Sequence, residues 1–131
     1  MEKMTIREIL DADLAKNYKG DNFDAEQNYK GFKLLIEQGT KMYRVGNTIY
    51  MVDPAGEDTI EWHTSNAERS DALLANTNKF LKRLKADGVK KAFTYYDNPK
   101  IHALVKQFDF PTKLNEVNEG KYKTFKAEVS L

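Results

Sequence analysis

Hydrophobic and polar residues alternate over Thr59–Thr64, near the middle of the chain. Ile60 and Trp62 fall on one face of this segment, while Glu61 and His63 fall on the other. Alternation with a period of two is typical of a strand that buries one face and leaves the other in contact with water. The pattern therefore predicts a strand with one apolar and one polar face.

Over Asp71–Ala86 the hydrophobic residues recur every three or four positions, the period of a helix. Apolar or small side chains recur there on one stripe, at Leu73, Leu74, Thr77, Phe80, Leu81 and Leu84. Ser65 and Glu68 have the spacing of a capping box before this helix, and Gly88 follows it at a usual helix end. A second strand is predicted at Val89–Tyr96. The segment is thus expected to form a right-handed strand–helix–strand unit, whose first turn is a common anion site.

Weaker patterns of the same two kinds flank this unit. We predict a first strand at Met4–Leu10, with a helix as the open alternative. The other predicted elements, in chain order, are a short helix from Asp11 to Gly20, a helix from Asp24 to Gln38 with the stripe Tyr29, Phe32, Leu35 and Ile36, a hairpin of Lys41–Val45 and Thr48–Val52 about Gly46-Asn47, a turn at Asp53–Gly56, a helix at Pro99–Gln107, and strands Lys113–Val117 and Tyr122–Leu131 about Asn118–Gly120. This order predicts one α+β domain over residues 1–131. Its mixed, mostly antiparallel central sheet would have about six to seven strands flanked by helices, with one parallel βαβ unit.

Composition narrows the possible functions. The 131 residues carry 21 basic and 20 acidic side chains, a balance that makes a nucleic-acid partner unlikely on electrostatic grounds. There is no cysteine, so disulfides and thiolate metal sites are excluded, and His63 and His102 have no ligand spacing around them that predicts a metal site. No apolar run approaches the roughly 20 residues of a membrane span. We expect a soluble protein of the cytoplasm that has no membrane partner.

The predicted order of elements resembles the GNAT (N-acetyltransferase) superfamily fold over nearly the whole chain. The best local match is Gly88–Phe110, where a strand ends at Asn98 and a helix closes on Phe110 at the spacing typical of the family. The resemblance implies acetyl-coenzyme A as cofactor if the protein is catalytic. It also implies cofactor-binding residues at Thr64, Ser65, Arg69, Ser70 and Asn98, the last holding the pantetheine arm.

Three departures from the family pattern concern the cofactor chemistry. The segment Arg69–Leu74 contains none of the glycines with which the family wraps the pyrophosphate, and Asp71 adds a negative charge there. Val105 stands where many members carry a tyrosine as general acid, and Asp109 replaces the glycine before Phe110. The departures leave it open whether the protein is an enzyme.

The combination of the family's predicted fold with an altered cofactor loop is similar to that of the small GNAT-like proteins of tailed bacteriophages, including the internal virion protein of short-tailed coliphages. The segments Glu61–Ser65 and Tyr95–Pro99 resemble their counterparts there. This resemblance implies a non-catalytic virion or accessory protein that acts through contacts with a virion or host protein, in the host cytoplasm or in the virion. The alternative is an active acetyl-coenzyme A-dependent N-acetyltransferase. The basic cluster Lys82–Lys91 motivates a weaker third hypothesis, a nucleic-acid-binding module.

If the protein is catalytic, the candidate residues lie at the ends of the two central strands. Glu61 and His63 share one strand face and could act as general base, although a hydrated sheet face explains them as well. Tyr96 or Tyr95 could supply the missing acid, since strand side chains alternate and one of the two must face the cleft. A core or rim position is the structural alternative for both tyrosines. His102 is expected to be exposed and without a role.

Overall fold

The computed structural model describes residues 3–17, 24–119 and 122–131. The elements formed by these residues are α1 (Ile6–Asn17), α2 (Ala25–Glu37), β1 (Lys41–Val45), β2 (Thr48–Gly56), β3 (Thr59–Asn66), α3 (Ser70–Ala86), β4 (Lys91–Tyr96), α4 (Ile101–Val105), β5 (Thr112–Glu119) and β6 (Tyr122–Ser130). Within this part of the chain, no helix has the length and apolar character needed to cross a membrane.

The strands form one mixed sheet in the order β1-β2-β3-β4-β6-β5. Every neighbouring pair is antiparallel except β3 and β4, which are joined by the crossover helix α3 and run parallel. The architecture confirms the predicted α+β class, the mostly antiparallel sheet and the single parallel unit. The six described strands lie at the lower end of the predicted number.

The sheet buries both faces, each against different helices. On one face α3 supplies Phe80, whose ring stacks on Tyr50 with the centroids 4.1 Å apart and meets Trp62 edge to face at 5.9 Å. The buried residues of this core are Tyr50, Val52, Ile60, Trp62, Phe80, Leu81, Leu84, Ala92 and Val129. On the opposite face α1 and α2 cover a smaller core, made of Ile9, Leu10, Phe32, Ile49 and Met51. The predicted apolar face of β3 therefore lies under α3.

The N-terminal segment is a helix, so the predicted strand at Met4–Leu10 was wrong. A capping box starts this helix: the Thr5 amide donates to Glu8 Oε1 at 3.0 Å, and the Glu8 amide donates to Thr5 Oγ1 at 3.1 Å. This T-x-x-E spacing is visible in the sequence and is the signal that would have predicted the helix. The predicted helix from Asp11 to Gly20 is the second part of α1, and Gly20 lies outside the described residues.

Two further predictions about turns were also wrong. The segment Asp53–Gly56 continues β2, with a register shift between Pro54 and Gly56, and the chain turns instead at Glu57-Asp58. Ser65 does not cap α3, because β3 extends to Asn66 and α3 begins after Arg69 without a side-chain cap. Strand pairing with β2 continues through Ser65 and Asn66, which removes both residues from the helix start.

The predicted hairpin and helix α2 were found at their expected places. Gly46 adopts the left-handed conformation at φ +59°, which a side chain would disfavour in this turn. Asp24 caps α2 by accepting from the Gln27 amide at 3.1 Å. The stripe predicted for α2 is only partly a core stripe, because Leu35 and Ile36 are exposed.

Candidate functional site

Strands β3 and β4 pair over three residues and then separate. Their parallel ladder joins Thr59 to Lys91, Ile60 to Ala92 and Glu61 to Phe93. Just beyond it, the Thr94 hydroxyl donates to the Trp62 carbonyl at 2.8 Å. The C-terminal halves of the two strands diverge from this point, and β4 keeps its antiparallel partner β6 on the other side.

A cleft of about 1240 Å³ lies where the strands diverge. It is lined from both sides of the sheet by α1, α2, α3 and α4, and its floor is the end of β3 and the end of β4. Of the predicted site residues, the lining includes His63, Thr64, Ser65, Tyr96 and Asn98. Glu61 lies one strand pair behind the lining, while Arg69 and Ser70 lie at the exposed start of α3, beyond it.

Glu61 and His63 form a pair on the side of the sheet that carries α1 and α2, and His63 is the member that lines the cleft. His63 Nε2 lies 3.1 Å from Glu61 Oε2. The register places His63 opposite Met51, a residue of the core under α1 and α2, so both polar side chains project to that side of the sheet. The Glu61 side chain is 27% exposed, which keeps its carboxylate partly out of water. A carboxylate that contacts an imidazole can orient it and support its action as a base.

Tyr96 and His102 form a second pair on the side of the sheet that carries α3 and α4, and Tyr96 is the member that lines the cleft. The Tyr96 hydroxyl lies 2.6 Å from Nδ1 of His102, and the His102 ring meets Phe125 edge to face at 4.4 Å. Burial raises the pKa of the Tyr96 phenol above its ordinary value, so the hydroxyl keeps its proton at neutral pH. The expectation that His102 is exposed was wrong, because Tyr96 and Phe125 cover part of the ring. Nothing in the spacing of Tyr96 and His102 predicted this contact, since a turn lies between them.

The connection from β3 to α3 is held without glycine. Glu68 Oε1 accepts from the Asn47 amide at 2.7 Å, which ties the connection to the β1–β2 turn. Lys16 on α1 donates to Asn66 Oδ1 at 3.0 Å and to the Glu68 carbonyl at 3.1 Å. These contacts hold the chain on both sides of the sheet, so the start of α3 is fixed in place with no side-chain cap of its own.

A metal site requires a cluster of ligating side chains. Within residues 3–17, 24–119 and 122–131, no three histidine or carboxylate side chains cluster in a way that could hold a metal ion.

Comparison with solved structures finds the same architecture repeatedly. A probable GNAT-family acetyltransferase from Chromobacterium violaceum superposes with a TM-score of 0.69 at 15% identity, covering 93% of this chain and 80% of that one. The fold is that of the GNAT acetyltransferases. A spermidine N-acetyltransferase variant from Vibrio cholerae matches with a TM-score of 0.69 at 11% identity over 99% of this chain and 92% of its own. An acetyltransferase from Bacillus subtilis solved with coenzyme A matches with a TM-score of 0.54 at 11% identity, over 86% and 95%.

At the level of sequence, no family model matches the chain, and no curated protein is significantly similar to it. Identities this low support the GNAT fold alone. The departures predicted from the sequence can now be placed on that fold. Val105 lines the cleft from α4 and is 2% exposed, so an apolar contact stands where many family members carry the tyrosine acid. Asp109 lies 3.3 Å from Lys82 and is not part of the lining.

Proposed function

We propose that the protein is an acetyl-coenzyme A-dependent N-acetyltransferase that transfers the acetyl group to an amine. The observation that carries this proposal is the separation of β3 and β4, which opens a through-sheet cleft with one member of a polar pair on each side. His63, which contacts Glu61, lines one side, and Tyr96, which contacts His102, lines the other. A base and an acid on opposite sides of one cleft are what the transfer of an acyl group to an amine requires.

The residues present fit the cofactor. The edge of β3 that faces the cleft offers backbone groups to the amides of an extended arm. The α3 N-terminus, which has no side-chain cap, and Arg69 both attract a pyrophosphate, since helix N-termini attract anions even where the chain has no glycine, and they are opposed there by the negative charge of Asp71. Asn98 lines the cleft close to the end of β4, where the resemblance places a pantetheine contact. When bound, the cofactor supplies the acetyl group as an activated thioester.

The proposed steps use the two polar pairs. Glu61 and His63 accept the proton that an ammonium must lose before its nitrogen can attack, directly or through one water. The new carbon–nitrogen bond replaces the carbon–sulfur bond of the thioester. Tyr96 gives its proton to the departing sulfur and recovers one through His102. The Tyr96 phenol thus acts as the general acid, which the apolar side chain of Val105 cannot do.

Calorimetric titration with acetyl-coenzyme A, run beside a thermal-shift scan, tests the first half of the proposal. We expect micromolar affinity, about −8 kcal/mol, and a raised melting temperature. A thiol-release assay with a panel of amines then tests transfer. The proposal fails if the protein shows neither heat nor a thermal shift at millimolar cofactor.

A second candidate function is supported by the apolar Val105 contact and the glycine-free connection before α3. In that case the chain is a non-catalytic protein that acts through contacts with a virion or host protein, as the resemblance to the phage proteins suggests, in the host cytoplasm or the virion. Cross-linking in a phage-infected culture, followed by mass spectrometry, would identify such a partner. This candidate predicts a negative cofactor titration, so the same measurement distinguishes the two.

A further inference from the structure

One part of the cleft has an apolar surface that residues 3–17, 24–119 and 122–131 leave partly exposed: Leu14, Phe32 and Met51 form its buried base, and Leu34 and Leu35 its exposed side. We call it the apolar lobe and define it by Leu14, Gly31, Phe32, Leu34, Leu35 and Met51, all of which line the cleft between α1, α2 and the sheet. Leu34 is 53% exposed and Leu35 is 43% exposed. Exposed leucines that line a concave site mark a surface on which an apolar ligand can be buried.

Gly31 is a second, independent feature of the lobe. It lies in the interior of α2, where glycine is about 1 kcal/mol less favourable than alanine. A Cβ atom placed there would meet no atom within 4 Å, and the residue does not need a left-handed conformation. Packing within the fold therefore gives no reason for a glycine at this position. Its effect is to keep the lobe open by the width of a side chain.

Charge along the lining indicates the polar end of the ligand. Asp13, Asp24 and Asp97 line the cleft, whereas none of its described lining residues is lysine or arginine. The carboxylate of Asp13 already accepts from the Asn66 amide at 3.0 Å, which fixes it at the border of the lobe. A cationic group is favoured in such surroundings and an anionic one is not.

We propose that the amine acceptor is amphiphilic: a primary amine whose ammonium lies near His63 and the lining aspartates, and whose hydrocarbon body lies in the apolar lobe. The proposal rests on the proposed function in assigning this lobe to the acceptor. It makes short polyamines a poorer class of acceptor, because their second charge would replace the hydrocarbon that packs against Leu34 and Leu35.

Binding can be tested without turnover. Hexylamine, putrescine and hexanol are titrated into the full-length protein in the presence of coenzyme A, with calorimetric detection. We expect hexylamine to bind about tenfold or more tightly than either of the others, since putrescine lacks the apolar end and hexanol lacks the charge. Gly31→Leu should weaken hexylamine binding by about tenfold or more, because the new side chain occupies the lobe. Lys30→Leu, on the same helix but outside the lining, should leave it unchanged.

Three results would overturn the assignment: equal hexylamine affinity in wild type and Gly31→Leu, putrescine affinity equal to that of hexylamine, or no binding by hexylamine. A different result bears on the proposed function instead. If hexylamine binds as expected and Gly31→Leu removes that binding, but no thiol is released from acetyl-coenzyme A, the lobe is a ligand site in a protein that does not catalyse the transfer.

Discussion

The Tyr96 hydroxyl lies 2.6 Å from His102 Nδ1, across the turn that joins β4 to α4. This distance links the end of a central strand to a helix that has only one and a half turns of its own. The imidazole is held from behind by Phe125 on β6, so three elements determine its position. The two rings that contact the Tyr96 side chain, those of His102 and Phe125, therefore lie outside the cleft lining, whereas Tyr96 itself is part of it.

Replacing Tyr96 by phenylalanine tests the proposal that its phenol acts as the general acid. Tyr96→Phe should lower the rate of thiol release by roughly 100-fold to 10,000-fold, the usual range for a general acid, while acetyl-coenzyme A affinity changes little. Tyr43→Phe is the matched control, because Tyr43 donates to Asp87 at 2.9 Å on α3's far end and lies outside the cleft lining. A Tyr96→Phe variant with the wild-type rate would contradict the proposed role of the phenol.

Replacing Glu61 by glutamine tests the proposal that Glu61 and His63 act as the general base. Glu61→Gln keeps the size of the side chain but removes the charge 3.1 Å from His63 Nε2. We expect the rate of transfer to fall by roughly 100-fold or more with the fold intact. The control is Glu128→Gln, which removes a carboxylate paired with Lys91 at 3.1 Å, away from the cleft lining. If both variants keep the wild-type rate, Glu61 is a structural residue of a hydrated sheet face.

Replacing Tyr50 by phenylalanine tests the core under α3. The Tyr50 hydroxyl is buried and lies 2.8 Å from Thr77 Oγ1. Tyr50→Phe should reduce the free energy of unfolding by about 1–3 kcal/mol, because Thr77 is then left with a buried, unsatisfied hydroxyl. Tyr95→Phe, at a side chain 45% exposed, should change it by less than about 0.5 kcal/mol. Urea unfolding of the two variants gives the comparison, and equal stabilities would contradict the buried hydrogen bond.

Asp13 should make stability fall as pH rises in the acid range. Burial raises the pKa of its carboxyl above the ordinary 3.8, against the opposing effect of the Asn66 amide. The native state then holds the proton more tightly than the unfolded chain, so this group's contribution is complete below pH 3.8 and is lost as pH rises through the raised pKa. Relative to wild type, the melting temperature of Asp13→Asn should therefore improve as pH increases through that window.

Glu128 should show the opposite pH dependence and serves as the control for Asp13. The hydrogen bond from Lys91 lowers the pKa of the Glu128 carboxyl below its ordinary 4.5. Its contribution is present above pH 4.5 and is lost as pH falls through the lowered pKa. The deficit of Glu128→Gln should accordingly shrink in acid. Parallel melting curves of the two variants across pH 3–7 would contradict both assignments.

Sequence patterns predicted the elements that depend on neighbouring residues. The stripe that ends in Phe80, Leu81 and Leu84 predicted α3, because a helix buries residues that recur every three or four positions. Gly46 predicted the hairpin by its tolerance of positive φ. The same reasoning failed at Met4–Leu10, where an apolar pattern over seven residues fits a strand but the capping box at Thr5 starts a helix.

By itself, then, the sequence determined the α+β class, the parallel unit around α3 and the shared face of Glu61 and His63, since each follows from local periodicity. Only the tertiary structure decided that β3 and β4 separate after Glu61, because strand pairing depends on which edges the rest of the sheet occupies. It also decided that His102 meets Tyr96. Contacts between elements depend on the conformation of loops and on packing between residues far apart in the sequence. Neither produces a periodic pattern of hydrophobic residues.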